Sequence, residues 1–386
     1  MNELIERTES VLRDCVERQL IGDVNLGILL SGGIDSTLAA KYASDFYTSS
    51  GRIIQGFSLI NTRFKNFNEE NYIDHVASRI NIDLNKYDFD DISFLSSFEQ
   101  SIYASETILH APSMGTYELV KNASEKVRVI LCGEGSDEIA GGYRNFSVMK
   151  GSELIRRLFM GRLRRFSRYG VIYDDRNFLL NFERNISMEM SRRIYPAFSV
   201  AETIAAREHE YNAMTGTAFD KVRKLYFVDR LITVLEKQNK ICMYHSVENR
   251  VPFLDNAIVD LMFSIPEKYL MHPCYVRAAK RRDIGSLYEG KYIFKKISEK
   301  IYGRDFAFRP KSWISIPFAE YISSPGFMEY IKREVMPGMA SRGMFDMKVF
   351  AECMDSLNIY QNAMCVWKAI NMETWLKIFV DGKIPA

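Results

Sequence analysis

Residues 24–39, VNLGILLSGGIDSTLA, constrain the chain more than any other stretch. The run VNLGILL is short, apolar and without polar alternation, the pattern of a strand covered on both faces in a parallel sheet. It stops at Ser31, Gly32 and Gly33, and TLAAKYASDFY then reads as a helix. A glycine pair between a buried strand and a helix lets the backbone turn tightly and offer successive N–H groups to an anion. In an open α/β sheet this is where ligands bind, beyond the carboxyl ends of the strands. The anion is read as phosphate. The loop is neither G-x-x-x-x-G-K-[ST] nor G-x-G-x-x-G, so it is not a Walker or dinucleotide loop. Asp35 would repel a phosphate here unless a cation lies between them, and Mg²⁺ held by a carboxylate and phosphate oxygens removes the conflict.

A second loop repeats the arrangement. VRVILCGEG (127–135) reads as a buried strand ending in glycines, and LCGEGSDEIAGGY (131–143) places Glu134, Asp137 and Glu138 in and just after that loop. Three acids at the end of a core strand are costly without cations. Asp137 is the expected second Mg²⁺ ligand.

Between and around these loops the pattern is strand, helix, strand, helix, strand. Residues 3–21 have amphipathic helical spacing, RIIQGFSLI (52–60) is strand-like, and NEENYIDHVASRI has a helical period with an acidic first turn. A parallel α/β nucleotide-binding lobe is predicted over 1–150. A mostly helical lobe is predicted over 151–386, with 221–248 and 346–382 as its longest helical stretches. No linker separates them, so 1–386 is expected to form one unit.

Composition excludes several classes. A net charge of +2 over 386 residues does not suit a protein built around nucleic acid. There is no apolar run long enough to span a bilayer and no secretory h-region. The six cysteines form no C-x-x-C pair, which suits reduced thiols and a cytoplasmic location. The Arg-rich stretch 156–170 reads as a solvated helical face, with an anionic ligand as the sharper alternative.

These motifs together resemble the asparagine synthetase family. LLSGGIDS and LCGEGSDEIAGGY resemble its ATP-pyrophosphatase (PP-loop) and acidic loops. SVENRVPFLDNAIVDL (246–261) resembles its E-x-R-V-P-F-L-D signature, and FRPKSWISIP (308–317) its late R-x-K segment. The stretch from Lys348 resembles its C-terminal helices. The resemblance covers nearly the whole chain and implies the adenine nucleotide alpha hydrolase-like fold. It implies an ATP- and Mg²⁺-dependent ligase that adenylates a carboxylate, releases pyrophosphate, and then forms an amide with release of AMP. By resemblance, Ser31, Gly32, Gly33 and Ser36 hold pyrophosphate, Asp35 and Asp137 hold Mg²⁺, and Leu29, Leu59 and Gly133 lie at the nucleotide. Glu134 takes the place of the catalytic glutamate, and Lys311 that of the lysine stabilising charge at the α-phosphate and acyl centre. Taken without the family, Arg309 and Lys311 read as a solvated surface pair. Glu248, Arg250 and Asp255 read as a buried ion network of structural purpose.

The chain departs from the family at its start, where no glutaminase segment precedes the synthetase region. Nitrogen is then expected from free ammonia, a separate glutaminase or a substrate amine. It also departs at NKICMY (239–244) and at Ser312-Trp313, both expected near the acceptor pocket. The acceptor is expected to be aspartate or a more specialised small-molecule or peptide carboxylate. Ring closure on an internal amine, as in β-lactam synthetases and lasso-peptide cyclases, and a non-catalytic nucleotide-binding subunit are the rival readings.

Overall fold

A computed structural model describes residues 1–109, 112–159, 188–281, 283–310 and 316–385. Its centre is a five-stranded sheet of order β3-β2-β1-β4-β5, parallel throughout. The strands are β1 (Leu26–Leu29), β2 (Ile54–Ile60), β3 (Ile82–Asp88), β4 (Val129–Leu131) and β5 (Glu248–Arg250). The predicted parallel α/β class is therefore the observed one. Helix α1 (Asn2–Gln19) precedes β1, α2 (Ile34–Ser49) links β1 to β2, and α3 (Glu70–Ala77) links β2 to β3. Helices α4 (Asp91–Ser105) and α5 (Pro112–Ala123) lead to β4. The chain runs outward from β1 to β3 and then returns to β4 on the other side of β1. This reversal makes the crevice beyond β1 and β4 the topological switch point of a doubly wound sheet.

Two strands carry no apolar run. β3 is an edge strand paired with β2 from Ile54↔Ile82 to Ile60↔Asp88. Its sequence, IDLNKYD, is largely polar, and Lys86 pairs with Glu70 at 2.8 Å and Asp74 at 2.6 Å. Charged edge strands of this kind block edge-to-edge pairing. β5 adds three polar residues to the opposite edge beside β4. Arg250 fixes it by donating to the Gln19 carbonyl at 2.7 Å and the Ile21 carbonyl at 2.9 Å, where α1 ends. Arg250 also bonds Glu248 at 2.7 Å, but Glu248 is exposed. Asp255 instead caps the helix Asn256–Ser264 through the Ala257 N–H and pairs with Arg18 at 2.9 Å. The expected buried network is thus two separate, partly exposed ties to the end of α1.

Apolar side chains cover both faces of the sheet. On one side Leu12, Val16, Ile28, Leu38 and Phe253 pack together, and on the other Phe57, Val120, Ile130 and Ile241. Among the described residues the second half is mostly helical, and each of its two longest predicted helical stretches is broken once. The stretch 221–248 ends its helix at Tyr244, turns through Ser246 at φ 56°, and becomes β5. The stretch 346–382 is two helices, Met347–Met354 and Tyr360–Phe379, the first capped by Asp346. They join α4 in an aromatic core in which Phe94 stacks on Tyr321 at 4.8 Å and meets Phe327 at 4.9 Å. Among the described residues no helix is long and apolar enough to cross a membrane.

Candidate active site

The two glycine loops meet at the switch point. After β1, Gly32 takes φ +74°, a left-handed value that glycine adopts without steric cost. Gly33 then starts α2 with no side-chain cap, which leaves first-turn amides and the positive end of the helix dipole for an anion. Ser31 and Ser36 brace this turn. Their hydroxyls lie 3.1 Å apart, Ser36 Oγ accepts from the Ser31 N–H at 3.2 Å, and Ser31 Oγ accepts from the Gly33 N–H at 3.3 Å. The loop after β4 presses against it. A side chain at Gly133 would stand 2.7 Å from the Ser36 nitrogen and 2.8 Å from the Asp35 Cβ, so only glycine permits this approach. Leu29 ends β1 and Leu59 lies near the end of neighbouring β2, both half-buried.

Asp35, in the first turn of α2, and Asp137, in helix Ser136–Ala140, are brought to the same cation. That cation is Lys291, whose Nζ lies 2.5 Å from Asp35 Oδ2, 2.7 Å from Asp137 Oδ1 and 2.8 Å from Ser136 Oγ. Burial opposes its charge, yet Asp137 and Asp35 outweigh that and raise the ammonium's pKa above the usual lysine range. Lys291 is itself in the left-handed region at φ 54°, just before helix Tyr292–Tyr302, and its N–H donates to the Ala140 carbonyl at 3.1 Å. A non-glycine residue held there costs free energy, which is common where a side chain is fixed for function. Sequence reasoning missed Lys291. Its signal was indirect: four acids at two loop ends require a positive partner.

Glu134 stands half-buried beside this pair. Burial first, then the negative charges of Glu138, Asp137 and Asp35, push its carboxyl up to about 7, with Lys291 pulling the other way. Glu138 is buried and accepts a 2.5 Å hydrogen bond from the Tyr143 hydroxyl, and burial raises its pKa too. Glu134 also lines a cleft of about 1750 Å³. Of NKICMY, Ile241 reaches this cleft, whereas Asn239 is exposed.

Arg309 is not a solvated surface residue. Its guanidinium packs in the corner formed by the rings of Tyr72 at 4.2 Å and Phe306 at 4.1 Å, and it donates to the Phe306 carbonyl at 2.7 Å and to the Gly32 carbonyl. It holds the first glycine loop in place. Lys311 and Ser312-Trp313 lie outside the described residues, as does all but the start of the Arg-rich stretch.

Two carboxylates on facing loops suit a hard, oxygen-seeking cation such as Mg²⁺. Asp35 Oδ1 is buried with no hydrogen-bond partner, an orphaned acceptor that such an ion would satisfy. The donor set therefore fits Mg²⁺.

Fold and site together define an α/β protein that gathers a glycine turn at an uncapped helix start, a carboxylate-bound lysine and a raised carboxyl at one switch point. The chain belongs to the asparagine synthase family, whose match spans residues 7–377. It is 23% identical to asparagine synthetase [glutamine-hydrolyzing] 1 of Bacillus subtilis (strain 168), over 99% of this chain and 60% of that protein. It is 24% identical to a putative asparagine synthetase [glutamine-hydrolyzing] of Mycobacterium bovis, over 97% of this chain and 58% of that protein. It is 23% identical to amidase chry2 of Gibberella zeae, over 70% of this chain and 47% of that protein. The chain thus spans about 60% of the length of the first two relatives.

Proposed function

We propose that this protein is an ATP-dependent, amide-forming ligase acting through an acyl-adenylate, with residues 1–386 as one synthetase unit. The observation that carries the reading is the set formed by Lys291, Asp35, Asp137 and Glu134 at the switch point. A substrate carboxylate oxygen attacks the α-phosphorus of ATP, and the bond to the leaving pyrophosphate breaks. Ser31, Ser36, Gly32, Gly33 and the start of α2 supply donors for that pyrophosphate. The Lys291 ammonium adds positive charge beside it, where charge accumulates as the bond breaks. Leu29, Leu59 and Gly133 border the nucleotide. Asp35 and Asp137 would hold Mg²⁺, which when bound neutralises phosphate charge.

Ammonia or an amine then attacks the acyl carbon, and AMP leaves with the bonding electron pair. Glu134 takes the proton that the attacking nitrogen gives up. Burial, the first cause of its rise, makes this carboxyl a stronger base than an ordinary glutamate. Lys311, by its place in the sequence, stabilises charge at the acyl centre. Nitrogen comes from ammonia, a separate glutaminase or a substrate amine.

The test is ATP–pyrophosphate exchange. It should require a carboxylate substrate and Mg²⁺, and Asp35→Asn should abolish it. Exchange that survives Asp35→Asn at the wild-type rate refutes the role of the carboxylate pair.

A further inference from the structure

Lys291 reaches Asp35 and Asp137 from a left-handed backbone conformation that a lysine does not favour, so its neighbours must hold it there. Just before it, the two-residue strands His272–Pro273 and Tyr288–Glu289 pair antiparallel, and just after it helix Tyr292–Tyr302 begins. Glu289 is 6% exposed. One of its carboxylate oxygens accepts from Lys295 Nζ and the other from the Arg277 guanidinium. Lys295 is buried one turn beyond Lys291, and its N–H donates to the Lys291 carbonyl at 2.9 Å. The Glu289–Lys295 pair therefore spans Lys291 in the chain. Arg277, in helix Tyr275–Arg281, extends the tie by donating to the Ser286 and Tyr288 carbonyls at 3.1 Å each. The same segment is pressed onto the second glycine loop. A side chain at Gly290 would stand 2.1 Å from the Gly141 carbonyl oxygen, beside the bond from the Lys291 N–H to the Ala140 carbonyl.

We infer, on the ligase reading above, that Glu289 is a positioning residue: by joining Arg277 to Lys295 across Lys291, it keeps that lysine left-handed with its ammonium on Asp35 and Asp137. Burying a carboxylate between two cations adds little net stability over an apolar cluster of the same volume, so its use here is the one arrangement it fixes. Without the tie, the Lys291 backbone relaxes to an ordinary φ and the side chain swings off the two carboxylates. The ammonium then no longer stands where charge builds on the leaving pyrophosphate, and a misplacement of about 1 Å is enough to slow a reaction manyfold.

The test uses the whole chain and two independent readouts. Reductive methylation with formaldehyde and cyanoborohydride, read by peptide mass spectrometry, reports on the Lys291 amine and needs no substrate. Lys291 should react about tenfold faster in Glu289→Gln than in the parent. Arg342→Met, which breaks a different buried pair with Glu373, should leave that rate within about twofold and so separates local release from general loosening. The second readout is pyrophosphate exchange with aspartate, glucuronate and N-acetyl-dialanine as carboxylates. Glu289→Gln should lower its kcat about tenfold and leave the KM of ATP within about twofold. Glu289→Asp keeps the charge, shortens the reach by one methylene and carries the same two readouts if Glu289→Gln does not fold. A Lys291 methylation rate unchanged from the parent overturns the inference. So does equal acceleration in Arg342→Met, or an unchanged kcat beside a faster methylation. Faster methylation in a protein that exchanges pyrophosphate with none of the three acids counts against the ligase reading and leaves the hold of Glu289 on Lys291 standing.

Discussion

Replacing Glu134 by glutamine keeps the side chain's size and removes its charge, so it isolates the electrostatic cost of this carboxyl. Burial and the carboxylates of Glu138, Asp137 and Asp35 raise Glu134 from 4.5 in a free chain to about 7 in the fold. A folded pKa above the unfolded one means that the native state binds the proton more tightly. The stabilising term is therefore complete below pH 4.5 and is lost as pH rises through 7. The full difference of roughly 2.5 pH units corresponds to about 3 kcal/mol. Glu134→Gln carries no such term. Its stability relative to the parent should be near equality at about pH 4.5 and should exceed it by about 3 kcal/mol near pH 8. With an unfolding entropy of ~2.1 cal/mol/K per residue, that gain raises Tm by about 4 °C in a chain this long. Thermal or guanidinium unfolding of both proteins in matched buffers between these pH values measures the difference. A difference that does not change with pH, or a variant less stable than the parent at pH 8, refutes the raised carboxyl and with it the argument for Glu134 as a base.

Lys291→Met should cost about 3–5 kcal/mol in denaturant unfolding, because Asp35 and Asp137 then share a buried site without their cation. Adding Asp35→Asn to that variant should recover part of the loss, and strict additivity of the two changes would show that they do not interact. Arg309→Lys keeps the charge but loses the planar fork packed against Tyr72 and Phe306. It should raise the KM of ATP severalfold through a loosened Gly32 turn, with a stability loss of about 1–2 kcal/mol, and unchanged values of both would show that the contact does not position the loop. Gly133→Ala should push the two glycine loops apart and lower pyrophosphate exchange more than it lowers Tm; a Tm loss with exchange intact contradicts the close approach seen between them.

The central strands were legible because burial on both faces writes itself as an uninterrupted apolar run, as in VNLGILL and VRVIL. The edge strands were not, for the complementary reason. β3 has a solvated edge and carries Lys86, Asp83 and Asn85, and β5 is three polar residues recruited by contact with β4 and by Arg250. Neither has the local pattern by which a strand is recognised, since tertiary pairing, not propensity, decides them. Arg309 was misread for a related reason. An arginine is ordinarily solvated, and its burial here depends on Tyr72 and Phe306 flanking the guanidinium.

The site was legible in its demand and not in its supply. Asp35, Asp137, Glu134 and Glu138 all lie at loop ends beside strands, so the sequence alone implies crowded negative charge and a cation to meet it. Mg²⁺ was the expected answer, and the cation that Asp35 and Asp137 contact is the Lys291 ammonium. The ammonium that the protein itself supplies comes from Lys291, 256 residues beyond Asp35, at the start of a helix with no acidic or glycine-rich signature of its own. The sheet order sets Asp35 and Asp137 on facing loops, and the bond from the Lys291 N–H to the Ala140 carbonyl holds the lysine beside them. The same convergence raises Glu134, whose shift draws on carboxylates from both loops as well as on burial. The base strength assigned to Glu134 is thus a property of the topology, and a variant that separates the loops without touching any carboxylate should lower its pKa.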